Sequence, residues 1–295
     1  MKFGYVTMNS AAGIRPDVLA RELEERGFES IWVPEHSNIP TSRASAYPGE
    51  GDLPSGYFHM MDPMVSLAAA ATATKELTIA TGVCLLLEHD LVALACQTAT
   101  LDVLSCGRLV LGVGVGWNKE EFENHRRDIP FSKRYSALTE RIAALRTIWA
   151  NDEAEFAGTW DRVDRTFIFP KPVRRSIPIA MGNAGPTGIR LAAAHADEWL
   201  PIDTSLPYKD GKPDVAGSLV EFRRLAEAAG RDPLSIPITI FSFSRPTPER
   251  MERYNKLGVS RFVIMMPTAE VIPSDEVIRH LDLSTQVINT WKGST

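Results

Sequence analysis

Eight alternations of a short β-branched run with an amphipathic helical stretch predict an α/β fold, a single (β/α)8 barrel domain over residues 1–295. Two further observations favour it over a doubly wound open sheet. The first strand runs into Met8, Asn9, Ser10, Ala11, Ala12 and Gly13, which is not the glycine fingerprint of a dinucleotide fold. Nor does any low-complexity linker or repeat of 20 to 50 residues divide the chain.

The first strand is expected at 3–8, followed by a helix that Pro16 starts and Gly27 stops, with Leu19 and Leu23 on one face. The second strand, 30–33, runs into a long connection rich in Pro, Gly and Ser that ends near Asp62 and Pro63. Its length marks it as a lid or binding loop rather than a passive turn. An Ala-rich helix at 63–73, a strand at 77–82 and a helix from Asp90 follow, the last placing Leu94, Thr98 and Leu101 together. The fourth strand is expected at 108–113. A helix from about Ser132 carries Leu138, Ile142, Leu145 and Trp149 at helical spacing.

An irregular insertion at 151–176 leads to the fifth strand, 177–181, and a helix at 186–194. The sixth unit is a strand at 198–202 and a helix with Leu219, Phe222 and Ala226 that Gly230 ends. A strand at 236–243 with a helix at 247–256 forms the seventh. The eighth is a strand at 261–265 and a helix bearing Val277, Leu281, Ile288 and Trp291.

Lys and Arg number 32 against 37 Asp and Glu, so the net charge of −5 argues against a nucleic-acid partner held by a cationic face. Neither a secretion signal's apolar stretch nor an apolar run of membrane-spanning length is seen, so a cytoplasmic protein without a membrane partner is expected. Cys84, Cys96 and Cys106 lack metal or disulfide spacing and are expected to be reduced thiols, with Cys84 able to face the barrel mouth.

Barrel active sites gather at the C-terminal ends of the strands. After the second strand stand Glu35 and His36; a His there can act as acid, base or donor near neutral pH, with Glu35 tuning it. The fourth strand ends in Gly112, Val113, Gly114, Val115, Gly116, Trp117 and Asn118. Its alternating glycines either admit a flat ligand or serve strand packing. The fifth ends in Gly182, Asn183, Ala184 and Gly185 and opens a helix whose free N–H groups suit a phosphate. No Schiff-base lysine, serine elbow or metal-ligand spacing is seen, and adjacent Glu35 and His36 would point apart. His59, in the long loop, is a further candidate.

Three stretches, 27–36 (GFESIWVPEH), 77–83 (LTIATGV) and 99–117 (ATLDVLSCGRLVLGVGVGW), with the ADEW block at 196–199, resemble the luciferase-like flavin and deazaflavin oxidoreductases. The loop reading WVPEHSNIPTSR and YPGEGDLP resembles the coenzyme F420 branch. The resemblance implies a (β/α)8 barrel, a homodimer, a small-molecule substrate and a ring cofactor in the mouth, F420 or alternatively FMN. It further implies a cis peptide between Gly82 and Val83. Catalysis would fall to His36 and Glu35, and cofactor contact to Thr81, Gly82, Val83, Gly112, Gly114, Asn118, Gly182, Asn183, Ala184 and Gly185. Val115 stands where some members carry a catalytic Glu, a departure that argues against a sugar-phosphate dehydrogenase. Arg43, Lys171, Arg174 and Arg175 are candidates for the anionic F420 tail.

Overall fold

The computed structural model describes residues 1–49, 51–243, 245–266 and 268–293. In chain order the elements are β1 (Lys2–Val6), α1 (Pro16–Glu25), β2 (Ser30–Val33), α2 (Pro63–Ala73), β3 (Thr78–Thr81), α3 (Leu91–Leu104) and β4 (Leu109–Val113). Then come α4 (Lys119–His125), α5 (Arg134–Ala150), β5 (Glu153–Ala157), β6 (Arg162–Phe167), β7 (Ile179–Met181), α6 (Pro186–His195) and β8 (Glu198–Trp199). The remainder is β9 (Tyr208–Lys209), β10 (Lys212–Pro213), α7 (Val215–Ala228), β11 (Thr239–Ser242), α8 (Pro248–Lys256), β12 (Arg261–Met265) and α9 (Ser274–Lys292).

Eight of these strands form one parallel sheet in the order β11, β12, β1, β2, β3, β4, β7, β8. Parallel bridges from Trp199 to Ile238 and from Ile202 to Phe241 join its two edges, so the sheet closes into the expected barrel. Near-continuous apolar strands such as β4 (LVLGV) and β12 (RFVIM) are buried on both faces, as a sheet ringed by helices requires. Inside the barrel Val6, Trp32, Ala80, Val110, Ala180, Leu200, Phe241 and Val263 fill the lumen, and a larger apolar layer lies between sheet and helices.

Local chemistry sets the helix starts. Asp62 and Asp90 accept the Val65 and Ala93 N–H groups and so satisfy donors that α2 and α3 would otherwise leave open. At the N-terminal floor of the barrel, Arg261 binds Glu29, Glu198 and Thr239, a compensated charge cluster closing the end opposite the mouth.

The connections depart most from expectation. The stretch 151–176 is not irregular throughout: β5 and β6 form an antiparallel hairpin there. Their mostly exposed residues lack the apolar alternation that marks a half-buried strand. An additional short helix, α4, stands between β4 and the helix expected from Ser132. Of the expected 198–202 strand only Glu198 and Trp199 form a continuous strand, Ile202 adding the single bridge to Phe241, and a small hairpin, β9 with β10, follows.

Candidate active site

The strand ends converge on a cavity of about 420 Å³. His36, Gly82, Val83, Gly114, Val115, Trp117 and the whole turn from Gly182 to Gly185 line it. Its other walls are mostly apolar or aromatic, among them Met8, Tyr57, Tyr135, Phe241 and Phe243, with Glu35 and Ser205 the polar exceptions. This volume suits one drug-sized or ring-shaped ligand.

His36 sits just past β2 with its side chain 9% exposed. Nδ1 lies 2.6 Å from Glu121 Oε2, and the ring meets Tyr57 and Trp117 at centroid distances of 5.3 and 5.7 Å. Tyr47 packs against both of those aromatics. The imidazole is therefore fixed on one nitrogen and on its faces, leaving its remaining nitrogen for a ligand.

Glu35 does not tune His36. On extended chain its side chain leaves on the opposite side, where it accepts from the Leu85 N–H and pairs with His89 at 2.7 Å. Burial opposes its ionisation, but the bonds from His89, the Leu85 N–H and Cys84 outweigh that and hold it below the usual carboxylate range. His89 is correspondingly raised: desolvation is outweighed by the Glu35 carboxylate. Glu35 does border the cavity, yet its oxygens are engaged behind it.

Cys84 faces this cluster rather than the mouth, fully buried. Ligand atoms of Glu35, Cys84 and His89 lie within 4.8 Å of one another. Burial, followed by the Glu35 charge, pushes the Cys84 thiol well up, away from the thiolate that a metal takes. The chemistry of this donor set is that of a hydrogen-bonded cluster.

The peptide between Gly82 and Val83 is cis. Val83 lies across the mouth so closely that a Cβ at Gly114 or Gly182 would sit 2.6 Å from its methyl groups. These glycines thus make room for the Val83 shelf while their backbone lines the cavity. At Gly185 nothing lies within 4 Å of a Cβ, so that glycine faces open space. Asn183 presents a buried Nδ2 without a hydrogen-bond partner among the described residues, and its carbonyl accepts from Trp199. An unpaired donor beside the uncapped start of α6 fits an anionic group.

Thr81, Gly112 and Asn118 lie off the cavity wall. Thr81 Oγ1 donates to the Gly112 carbonyl at 2.7 Å, and a Cβ at Gly112 would stand 2.0 Å from the Thr81 oxygen, so this pair fastens β3 to β4. Asn118 is buried as the N-cap of α4 and accepts the Glu121 N–H. Its contribution to the site is therefore indirect, through Glu121. Sequence reasoning missed Glu121, although Asn118 and Glu121 have the spacing of a capping box. In place of the usual return bond to the cap, the Glu121 carboxylate reaches His36.

Of the cations, Lys171 donates to Ile148 O and Arg175 pairs with Asp152, both past the C-terminal half of α5 and so at the floor side of the barrel. Val173, beside Arg174, is tied to Asp102 near the end of α3, on the same side. Arg43 alone of the four approaches the mouth, 6.0 Å over the Trp117 ring. His59 is exposed and off the cavity wall.

A luciferase-like monooxygenase family profile matches residues 1–279. The chain belongs to that family. This luciferase-like chain is an oxidoreductase, as its family's members are. It is 36% identical over 271 residues to an uncharacterized protein of Mycobacterium tuberculosis, covering 90% of this chain and 92% of that one. An F420-dependent hydroxymycolic acid dehydrogenase of the same organism is 28% identical over 74% of this chain and 55% of that protein. Among solved structures, the monooxygenase RslO1 from Streptomyces bottropensis superposes with a TM-score of 0.75 at 19% identity, over 98% of this chain and 99% of that one.

Proposed function

We propose that this luciferase-like enzyme is an F420-dependent oxidoreductase that moves a hydride between the deazaflavin ring and a small uncharged organic substrate. The observation that carries the reading is His36, anchored by Glu121 at the edge of a ring-sized cavity whose far side is the 182–185 turn. The named activity of the F420-dependent dehydrogenase relative supports the same choice. When bound, a deazaflavin supplies two-electron hydride transfer, whereas FMN also reacts with O2; FMN monooxygenation is the alternative on this scaffold.

The chain's own part is positional. The Val83 shelf and the aromatic wall of Tyr57 and Trp117 would sandwich a flat ring and keep water from it. The open N–H groups at the start of α6, with Asn183 Nδ2, would hold a phosphate of the tail. His36 would hold or deliver the proton that accompanies the hydride, its ring kept in register by Glu121. No Lys or Arg lines the cavity among the described residues, which supports an uncharged substrate over a phosphorylated one.

The reading includes a homodimer in the cytoplasm. Val65, Val92, Val103 and Leu104 leave apolar surface exposed on α2 and α3, where a second copy would cover it. Among the described residues no helix is long and apolar enough to cross a membrane. Fluorescence titration of the purified chain with F420 and with FMN tests the cofactor: saturable F420 binding supports the reading, and saturable FMN binding without an F420 response refutes it.

A further inference from the structure

We propose that Glu121, Glu88 and His125 form a proton path from His36 in the mouth to a second, polar cavity on the flank of the barrel. The inference rests on the reading of His36 as the group beside the reacting ring. A ring seated between the aromatic walls would cover the mouth side of His36, so its proton would need another way out.

The groups stand in sequence. His36 Nδ1 contacts Glu121 Oε2, while Glu121 Oε1 is buried with no hydrogen-bond partner among the described residues. Helix α4, which carries Glu121, packs against the 3-10 turn Leu86–Glu88. The Glu88 side chain is 4% exposed, and its Oε1 would lie 3.7 Å from a Cβ placed at Gly116 in the cavity wall. Its Oε2, likewise unpartnered, is 3.8 Å from His125 Nε2.

The Asn38 amide donates to that same nitrogen at 3.1 Å and the Ser37 hydroxyl stands 2.8 Å from it, so Nε2 is the unprotonated, accepting side of His125 and takes the Glu88 proton only as one of these nearer donors turns away. Glu88 and His125 both open onto a cavity of about 500 Å³, walled by Arg126, Arg141 and Asp161. The titratable and charged groups around Glu88 are Glu35 and Glu121 on the barrel side and His89, Asp90, His125, Arg126, Arg141, Asp161 and Arg162 around the cavity. Two buried carboxylates with spare oxygens are costly to fold and carry no structural bond with those atoms. A relay gives both of them a use.

Burial, then the charges of Glu121 and Glu35, push Glu88 up to about 9, so it holds a proton to pass on at neutral pH. The transfer balances without electron flow. Glu88 gives its proton to His125 Nε2, takes one from Glu121, and Glu121 takes the Nδ1 proton of His36. Counting the release to solvent, four bonds to hydrogen break, at His36, Glu121, Glu88 and His125, and four form, at Glu121, Glu88, His125 and water. One proton leaves His36, and one is released to solvent from His125.

The test has two arms. Carboxyl carbon NMR on the chain without cofactor should find Glu88 protonated at neutral pH, with its midpoint lowered in Glu121→Gln. An ordinary carboxylate midpoint for Glu88, or one that ignores Glu121→Gln, overturns the path. In turnover with whichever ring cofactor the chain uses, Glu88→Gln keeps the shape but cannot relay. Turnover should fall about tenfold or more with a larger solvent isotope effect. Unchanged turnover and isotope effect overturn it equally. If the unmodified chain turns over with neither ring, the functional reading fails, while the coupled titration still decides whether the two carboxyls share a proton.

Discussion

Glu88→Gln should stabilise the folded chain, by an amount that grows with pH. Glu88 is raised from 4.5 to about 9 by burial and then by the charges of Glu121 and Glu35. Between those values the folded state holds a proton that the unfolded state has released, so each pH unit weakens folding by ~1.4 kcal/mol. From 4.5 to pH 7 the accumulated cost is ~3 kcal/mol, and glutamine, uncharged in both states, removes it. Urea denaturation followed by tryptophan fluorescence at pH 5, 7 and 8.5 measures the difference between variant and parent. The gain should be small at pH 5, ~3 kcal/mol at pH 7 and larger at pH 8.5. His89, whose raised value makes its own contribution fade as pH climbs past 6.5, is present in both chains and cancels. A variant that is less stable, or whose gain is the same at every pH, would refute the assignment of Glu88 as a buried neutral acid. A carboxyl retained at such a cost is expected where activity, not stability, selects it.

His36→Ala should lower turnover by ~10²- to 10⁴-fold, with a lower melting temperature too, since a ring only 9% exposed and the partner of buried Glu121 are both lost. Steady-state rates and a melting curve on one preparation check this, and near-normal turnover would remove His36 from the chemistry. Gly185→Asp has free space for its side chain, so weaker cofactor binding there would report like-charge repulsion with a phosphate at the start of α6; unchanged affinity would take that turn out of the site. Arg261→Leu strands Glu198 at the barrel floor without a compensating charge and should cost ~3–5 kcal/mol in urea denaturation while leaving cofactor affinity unchanged in the surviving folded fraction.

The barrel is legible in the sequence because its strands are buried on both faces and its helices are punctuated by Pro16, Gly27, Pro63, Pro186 and Gly230. The β5 and β6 hairpin is not, because strands with mostly exposed residues leave no apolar period to read. In the site, His36 and the 182–185 turn could be found from their position beyond strand ends alone. Glu121 could not: it meets His36 from 85 residues away, and only closure of the barrel brings α4 over the end of β2. Gly112 and Gly114 show the limit of local reading. The same alternation that would admit a ring is used to clear the Thr81 backbone and the Val83 side chain.

The central claim is hydride exchange with a deazaflavin in this mouth. It is tested most directly by mixing the purified chain with F420 and a panel of small alcohols and carbonyl compounds, following the ring's absorbance in a single turnover. Reduction or reoxidation of F420 at a rate that saturates with protein and collapses in His36→Ala is the expected result. No change in the F420 ring with any of them, together with O2-dependent product formation from reduced FMN, would contradict it.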